Sequence, residues 1–174
     1  DILVEVGLFT ATLTAPALNS TTIINSGGSL LISATNNNGN ADYNLKANGV
    51  SINSLNNVST YSFNHTNITS NQNYELDITQ GAVTQTKTFS VVINPGTVSE
   101  ALPSGLENGI NYNGSDNTKA TLVLEAPGKD FVYVAGTFNN WQPSSVYAMK
   151  KDPTTSKFWL ELTGLTAGQV ESYQ

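Results

Sequence analysis

The sequence predicts an all-β protein made of two tandem immunoglobulin-like β-sandwiches. Short runs in which apolar or aromatic residues alternate with polar ones recur along the chain, and this is the period of a half-buried strand. Turn residues, mainly Gly and Asn, separate these runs at hairpin spacing. Helical periodicity is absent, and a length of 174 residues suits one or two domains.

About seven of these runs belong to the first sandwich. Residues 1–17 are expected to be extended, with Leu8, Phe9 and Leu13 as buried anchors. Asn48-Gly49 between alternating runs predicts a two-residue type I′ hairpin. The face alternation points Tyr74, Leu76 and Ile78 inward on one strand, and Phe89, Val91 and Ile93 inward on the next. The predicted strands are residues 29–34, 43–47, 50–52, 58–63, 74–78 and 83–93.

Two Pro/Gly breaks divide the chain, at Asn94-Pro95-Gly96 and at Pro103-Ser104-Gly105. The first domain is therefore predicted to be residues 1–95, followed by a linker at 96–117 and a second domain at 118–174. Residues 120–125 are predicted to form a strand that ends at the turn Ala126-Pro127-Gly128 and pairs with residues 131–135. Residues 157–162 are a further strand and 169–174 begin the last one. We expect the second sandwich to be incomplete.

Composition excludes several functional classes. The net charge is −6, all seven cations are lysines, and they form no basic patch of the kind that nucleic-acid binding requires. Apolar runs fall well short of the roughly 20 residues of a membrane-spanning helix. Cysteine is absent, which excludes a disulfide framework and thiol chemistry. The first residues lack the features of a signal peptide, and we expect the chain to be part of a longer protein.

The stretch from Phe131 to Trp141 carries the clearest functional signal. A β-branched and aromatic run ends at Gly136, and an aromatic residue, two amides and a tryptophan follow within five residues: Phe138, Asn139, Asn140 and Trp141. This combination offers a flat apolar surface beside hydrogen-bonding groups. A sugar presents the complementary pair, a C–H face and a rim of hydroxyls, so the stretch predicts carbohydrate contact.

The sequence VYVAGTFNNWQP, after Ala126-Pro127 and before a Phe-Trp strand, resembles the family 48 carbohydrate-binding module. This immunoglobulin-like sandwich precedes the catalytic barrel in many α-amylase-family (glycoside hydrolase family 13) enzymes. The sequence is also similar to the glycogen-binding domain of the AMP-activated kinase β subunit. The similarity covers roughly residues 100–174, and Gly136-Thr137-Phe138-Asn139-Asn140-Trp141 is its specific core.

The resemblance implies a non-catalytic N-terminal region of a bacterial α-amylase-like enzyme, secreted or exposed at the cell surface. Its expected partners are the catalytic barrel of the parent chain and an α-glucan such as starch, glycogen or a maltooligosaccharide, with no nucleic acid, membrane or cofactor. The alternative is a structural spacer or adhesion stalk without affinity for sugar. Both interpretations predict that this region is not itself an enzyme.

The candidate sugar-contacting residues are Trp141, Asn140 and Asn139. Trp141 could instead seal the sandwich, and the two asparagines could cap backbone groups in a turn. The resemblance assigns Phe138 and Trp159 to packing. Family sites also use a lysine near the position of Gln174 and a second tryptophan beyond it, and the chain has neither.

No catalytic or metal-binding constellation emerges from the sequence. His65 is the single histidine, and without cysteines it predicts a surface residue and no metal centre. Glu75 and Asp77 are two residues apart and are expected on the outer face of a strand, where no cleft would hold them as a glycosidase pair. The loop 36–42 contains one carboxylate, Asp42, and is a poor calcium loop.

Overall fold

A computed structural model describes residues 8–174 and divides the protein into two compact units. Unit 1 ends at Ile93, and unit 2 comprises Asn94–Gln174. Among the described residues the regular structure is β-strand, apart from the 3₁₀ turns Thr137–Asn139 and Ser145–Tyr147. This confirms the predicted all-β class.

In the described part of unit 1, which starts at Leu8, eight strands form two sheets. The sheet orders are β1-β3-β6 and β2-β8-β7-β4-β5, so strands distant in sequence become neighbours, as in an immunoglobulin-like sandwich. The strands are β1 (Ala11–Ala15), β2 (Thr21–Asn25), β3 (Gly28–Asn36), β4 (Ala41–Ala47), β5 (Val50–Val58), β6 (Thr60–Ile68), β7 (Gln72–Gln80) and β8 (Val83–Asn94).

The core of unit 1 lies between these sheets and follows the predicted alternation. Tyr74, Leu76 and Ile78 of β7 are buried, while Glu75 between them is exposed. Phe89 of β8 is also buried and stacks on Tyr74 with ring centroids 4.9 Å apart. Such pairs add to the stabilisation from apolar burial.

The hairpin predicted at Asn48-Gly49 joins β4 to β5. Both residues have positive φ, 49° and 79°, as a type I′ turn requires. The Asn48 side chain is also fixed, because its amide donates to Gln72 Oε1 at 2.8 Å and its carbonyl accepts from Asn73 N at 2.9 Å. The two φ values therefore confirm the predicted hairpin, and the bonds of Asn48 attach its turn to β7.

One of the three predicted anchors at the start of the chain is wrong. Phe9 and Leu13 are buried, but Leu8 is 82% exposed. Adjacent residues in an extended segment point to opposite sides, so Leu8 and Phe9 could not both face the core. The part of the prediction that concerns residues 1–7 lies outside the described residues.

Unit 2 is built around a four-stranded sheet of order β11-β12-β10-β9. The strands are β9 (Gly109–Tyr112), β10 (Ala120–Leu124), β11 (Lys150–Lys151) and β12 (Phe158–Leu162). Residues 96–117, expected as a linker, contain β9, which pairs with β10. Ser99 also bridges Lys151, so this segment forms part of the sheet structure of unit 2.

The predicted pairing of residues 131–135 with 120–125 is wrong. β10 is flanked by β9 and β12, which leaves it no free edge. Residues 132–135 instead pair with two other segments, through Val134 N to Tyr147 O at 2.9 Å and reciprocal bonds between Ala135 and Gln174 at 2.8 and 3.0 Å. Val134 and Leu122 of β10 nevertheless belong to the same buried core of unit 2, so the segment contributes to that core without pairing with β10.

Candidate functional site

The loop that carries the candidate residues begins with a close backbone approach at Gly136. This residue has an extended backbone, with φ −167°. Its N–H group donates a hydrogen bond to the Asn139 side chain, and its carbonyl oxygen accepts hydrogen bonds from Asn139 N and Trp141 N. A Cβ atom placed there would lie 2.5 Å from Ser172 O and 2.6 Å from Phe138 Cε1. Glycine is therefore required because a side chain would clash, and not because the backbone conformation favours glycine. Neither the backbone oxygen nor the packed ring can move away easily.

Asn139 holds the loop closed from inside. Its side-chain carbonyl accepts a hydrogen bond from Gly136 N at 2.8 Å, and its amide donates to Val134 O at 3.0 Å. Both ends of this half-buried side chain thus bond the backbone of the preceding strand-like segment. The arrangement makes Asn139 a brace for the 3₁₀ turn.

Asn140 and Trp141 follow in an uncommon backbone conformation. Their φ values are 53° and 59°, in the left-handed region where a residue with a Cβ is disfavoured. Backbone bonds hold them there, including Trp141 N to Gly136 O at 2.8 Å. The chain thereby reverses, and the Trp141 side chain remains 44% exposed while Asn140 is exposed beside it.

Phe138 points to the other side of the same loop. It is half-buried, packs on the core of unit 2, and lies against Tyr147 with ring centroids 5.3 Å apart. The packing role predicted for Phe138 is therefore confirmed, although its ring is not fully enclosed. One side of the loop anchors it to the core, and the other side presents Asn140 and Trp141 to solvent.

Trp159 has the opposite environment to Trp141. It is 5% exposed, and its Nε1 donates to Glu100 O at 3.0 Å. Lys150 Nζ lies 4.5 Å from the centroid of the indole ring and 2.8 Å from a Glu100 carboxylate oxygen. The packing role predicted for Trp159 is confirmed.

The end of the chain supports the candidate loop from the side. Thr137 N donates to Ser172 O at 2.9 Å, and the Thr137 hydroxyl donates to the Glu171 carboxylate. Gln174, at the position where the family uses a lysine, pairs with Ala135 through its backbone. These bonds fix the loop to the segment 171–174.

Sequence reasoning did not identify Asp152, which is 4% exposed and is the buried charged residue among those described. Its carboxylate accepts hydrogen bonds from the Thr155 hydroxyl and from Thr155 N at 2.9 Å, and from Leu102 N at 3.3 Å. These bonds hold the pKa of Asp152 below its ordinary value, although burial opposes the shift. Asp152 organises the turn between β11 and β12, and Asp-Pro-Thr-Thr in the sequence is a turn signal of this kind.

His65 is half-buried, and not the surface residue that the sequence predicted. Its Nδ1 lies 2.7 Å from the Tyr74 hydroxyl, and burial lowers the pKa of the imidazole. Burial also raises the pKa of Tyr74 to about 12, so the hydroxyl stays protonated at neutral pH. The pair is a packed contact between β6 and β7.

Glu75 and Asp77 lie on the outer face of β7, as expected. Asp77 accepts hydrogen bonds from Lys46 Nζ at 2.7 Å and from the Thr86 hydroxyl at 2.6 Å. Burial by itself would raise the pKa of Asp77, but these bonds outweigh it and lower the pKa. The carboxylate is thus engaged in a surface ion pair with Lys46.

Within residues 8–174, no group of three or more His, Cys, Asp or Glu side chains is arranged to hold a metal ion. In the same part of the chain, no helix is long and apolar enough to cross a membrane.

Comparison with known proteins finds no matching protein-family model and no matching curated protein. Structures of low similarity include Bacteroides uniformis β-glucuronidase 3 in its apo form, with 12% identity, a TM-score of 0.39, and coverage of 95% of this chain and 23% of that one. The titin domains Z1Z2 in complex with telethonin align with 12% identity, a TM-score of 0.39 and coverage of 94% and 93%. The fibronectin(III)-like modules of Clostridium thermocellum CbhA align with 12% identity, a TM-score of 0.38 and coverage of 94% and 91%.

Proposed function

We propose that this chain is a non-catalytic region of a secreted or cell-surface α-amylase-like enzyme, in which unit 2 contacts α-glucan and both units support a catalytic barrel. The observation that carries the proposal is the 44% exposure of the Trp141 ring on a loop that is otherwise tightly bonded. A tryptophan that sealed the sandwich would be covered, as Trp159 is at 5%. The resemblance of residues 100–174 to the family 48 module supplies the ligand class.

Trp141 is assigned the role of a stacking platform. An indole ring has a large flat apolar surface, and the C–H face of a glucose ring is its complement. The left-handed backbone at Trp141 is maintained against a cost of roughly 1–2 kcal/mol, whereas asparagine tolerates this conformation at Asn140. This cost has a physical rationale if the loop must present the ring to a ligand.

The two asparagines take different roles in this proposal. Asn140 is exposed next to the ring and can bond a glucose hydroxyl. Asn139 is already bonded to Gly136 and Val134, so we assign it to holding the platform in place. A single platform contributes little binding energy, and association has its own entropic cost, so we expect a dissociation constant on the order of 1 mM.

The test is titration of the protein with maltoheptaose by isothermal calorimetry, together with thermal unfolding of each variant. Trp141→Ala should abolish the titration and leave the melting temperature nearly unchanged, because the ring is largely outside the core. Val146→Ala is the matched control, since Val146 lies in the nearby turn, is 76% exposed and offers no ring. A parent protein that shows no heat, together with a Trp141→Ala variant that melts far earlier, would favour the structural spacer or adhesion stalk.

We also expect no hydrolysis by this region. Asp77 is engaged by Lys46 and Thr86, and its neighbour on the same strand face, Glu75, lies on an open surface. A glycosidase pair needs two carboxyl groups on either side of a bound sugar. Release of reducing sugar from starch by the purified protein, above a heat-inactivated control, would contradict this expectation.

A further inference from the structure

A groove of about 420 Å³ opens on unit 2 beside β9 and β10. Its floor contains Leu122 and Leu162, which belong to the buried core, together with Phe138 and Leu165 packed against that core. Ligand sites commonly have volumes of about 300–1,000 Å³ and a mainly apolar lining. The groove therefore has the size and the floor of a binding site.

Two tyrosines form the rim of this groove. Tyr112 of β9 is 81% exposed, and Tyr173 is 42% exposed. Single exposed apolar residues are normal, but accessible rings grouped around one apolar floor commonly mark a site of interaction. A tyrosine offers a flat apolar face together with a hydroxyl, which suits a ligand that is apolar on its faces and polar at its edges.

Polar side chains surround the apolar floor, and several of them are available to form hydrogen bonds with a ligand. Within residues 8–174, the side-chain amides of Asn117 and Gln169 and the hydroxyls of Tyr112 and Tyr173 form no hydrogen bond with the protein, although all four residues line the groove. A ligand with several hydroxyl groups could pair with them. A purely apolar ligand would leave these groups without new partners and would remove some of them from water.

The charged side chains of the groove indicate a neutral ligand. The lining contains one cation, Lys119, and one anion, Glu171. Lys119 lies 3.7 Å from Asp116 and 3.9 Å from Glu161, and Glu171 accepts a hydrogen bond from the Thr137 hydroxyl. Lys119 thus lies within ion-pair distance of two carboxylates, and Glu171 is held by a neutral hydroxyl. Because the lining contains one cation and one anion, it has no net charge to attract an ionic ligand.

The groove also continues beyond Phe138. A second hollow of about 240 Å³ shares Phe138, Leu162 and Glu171 with the first and extends to Tyr147. Because the two hollows share lining residues, they lie side by side, and a ligand of more than one ring could contact both.

We propose that this groove binds a neutral oligosaccharide, with a sugar ring stacked on Tyr112 and its hydroxyls bonded by the amides of Asn117 and Gln169. The site is separate from Trp141, and its occupancy does not depend on the α-glucan contact proposed above. It gives unit 2 two independent points of contact with a glycan.

The experiment is a nuclear magnetic resonance titration of the whole 174-residue chain with maltoheptaose, cellohexaose and xylohexaose in turn. The side-chain amide signals of Asn117 and Gln169 should shift and saturate with at least one of these sugars, with a dissociation constant on the order of 1 mM. Tyr112→Ala should weaken that binding about tenfold, whereas Tyr112→Phe, which keeps the ring face, should change it less than about threefold.

Two controls separate this site from the Trp141 site. Trp141→Ala should leave the shifts of Asn117 and Gln169 unchanged, even if it removes all binding at its own loop. Val170→Ala changes a residue that is 86% exposed, next to Gln169, and does not line the groove, so it should have no effect.

Three results would overturn the proposal. One is the absence of amide shifts with all three sugars at about 10 mM, roughly tenfold above the expected dissociation constant. Another is a Tyr112→Ala variant that binds as the parent does. The third is self-association in sedimentation velocity that Ile110→Asp abolishes, because the groove would then be a contact between two copies of the chain.

Discussion

The two units reach similar all-β folds in different ways. In unit 1 the central strands are seven to twelve residues long, and Ile32, Leu45, Leu76 and Ile78 are completely buried. In unit 2 the longest strands have five residues, and the core residues Leu122 and Leu162 also line a groove. The long strands give unit 1 the larger buried core, whereas the core of unit 2 is smaller and two of its leucines lie beside a groove.

Hydrogen bonding between polar side chains does not distinguish the two units. In unit 1 Asn48 bonds Gln72 and Thr79 bonds Thr84, both at 2.8 Å. In unit 2 Ser115 bonds Asn113 at 3.0 Å and Thr118 bonds Asp116 at 2.6 Å. The units therefore differ in the size of their strands and cores, and not in how their surface groups are bonded.

The largest expected effect compares the two cores directly. Leu76→Ala in unit 1 should lower the free energy of unfolding by about 3–5 kcal/mol, because it leaves a cavity in an enclosed core. Leu122→Ala in unit 2 should cost less, about 1–3 kcal/mol, because one side of Leu122 already faces the groove.

Urea unfolding can measure both variants with two probes. Circular dichroism follows both units, and tryptophan fluorescence follows unit 2, because Trp141 and Trp159 both lie there. Equal costs for the two variants would contradict the contrast between a closed and an open core.

The next effect tests the close approach at Gly136. Gly136→Ala should destabilise unit 2 by about 1–3 kcal/mol, because the added methyl group meets a backbone oxygen and a packed ring. Gly114→Ala is the matched control, since its Cβ would meet nothing within 4 Å. A Gly136→Ala variant whose fluorescence-detected midpoint equals that of Gly114→Ala would refute this account of the loop.

A smaller effect should separate the roles of the two asparagines. Asn139→Ala removes the hydrogen bonds to Gly136 and Val134 and should cost unit 2 about 1–2 kcal/mol. Asn140→Gly keeps a residue that tolerates positive φ, so stability should change by less than about 0.5 kcal/mol. Asn140→Gly should lower the affinity for maltoheptaose without changing the stability of unit 2. If Asn140→Gly were more destabilising than Asn139→Ala, the assignment of the two roles would be contradicted.

The smallest effect is a pH dependence of unit 1 through His65. Burial lowers the pKa of His65 below its ordinary 6.5, so the unfolded chain binds the proton more readily. The contribution of neutral His65 to stability is therefore present above pH 6.5 and is lost as the pH falls from there through the lower pKa of the folded state. Circular dichroism melts between pH 7 and 5 should show this slope in the parent and a flatter one in His65→Gln. An identical slope in the two proteins would assign the effect to other groups.

Much of unit 1 could be predicted from the sequence, because its signals are local. Alternation alone places Tyr74, Leu76 and Ile78 in the core, and Asn48-Gly49 alone specifies its hairpin. These features depend on residues that are neighbours in the chain, and the period of two fixes which face is buried. The error at Leu8 came from reading apolarity without that alternation.

The strand pairing of unit 2 could not be predicted in this way, because it depends on contacts between segments that are distant in the sequence. The sequence identified residues 131–135 as extended, but only the tertiary structure showed that both edges of β10 were occupied and that the segment pairs with 147–149 and 172–174. The roles of the candidate residues were decided in the same way. Asn139 and Asn140 are the same residue type, yet one bonds the backbone and the other faces solvent.

The sequence by itself determined the all-β class and the loop in which a tryptophan follows two asparagines. The tertiary structure decided that Trp141 is exposed while Trp159 is covered, and that Tyr112 and Tyr173, far apart in the chain, share one groove. The physical reason is that strand periodicity is set by covalent geometry over a few residues. Exposure and shared cavities are set by which distant segments pack together, and that choice is made by the whole fold.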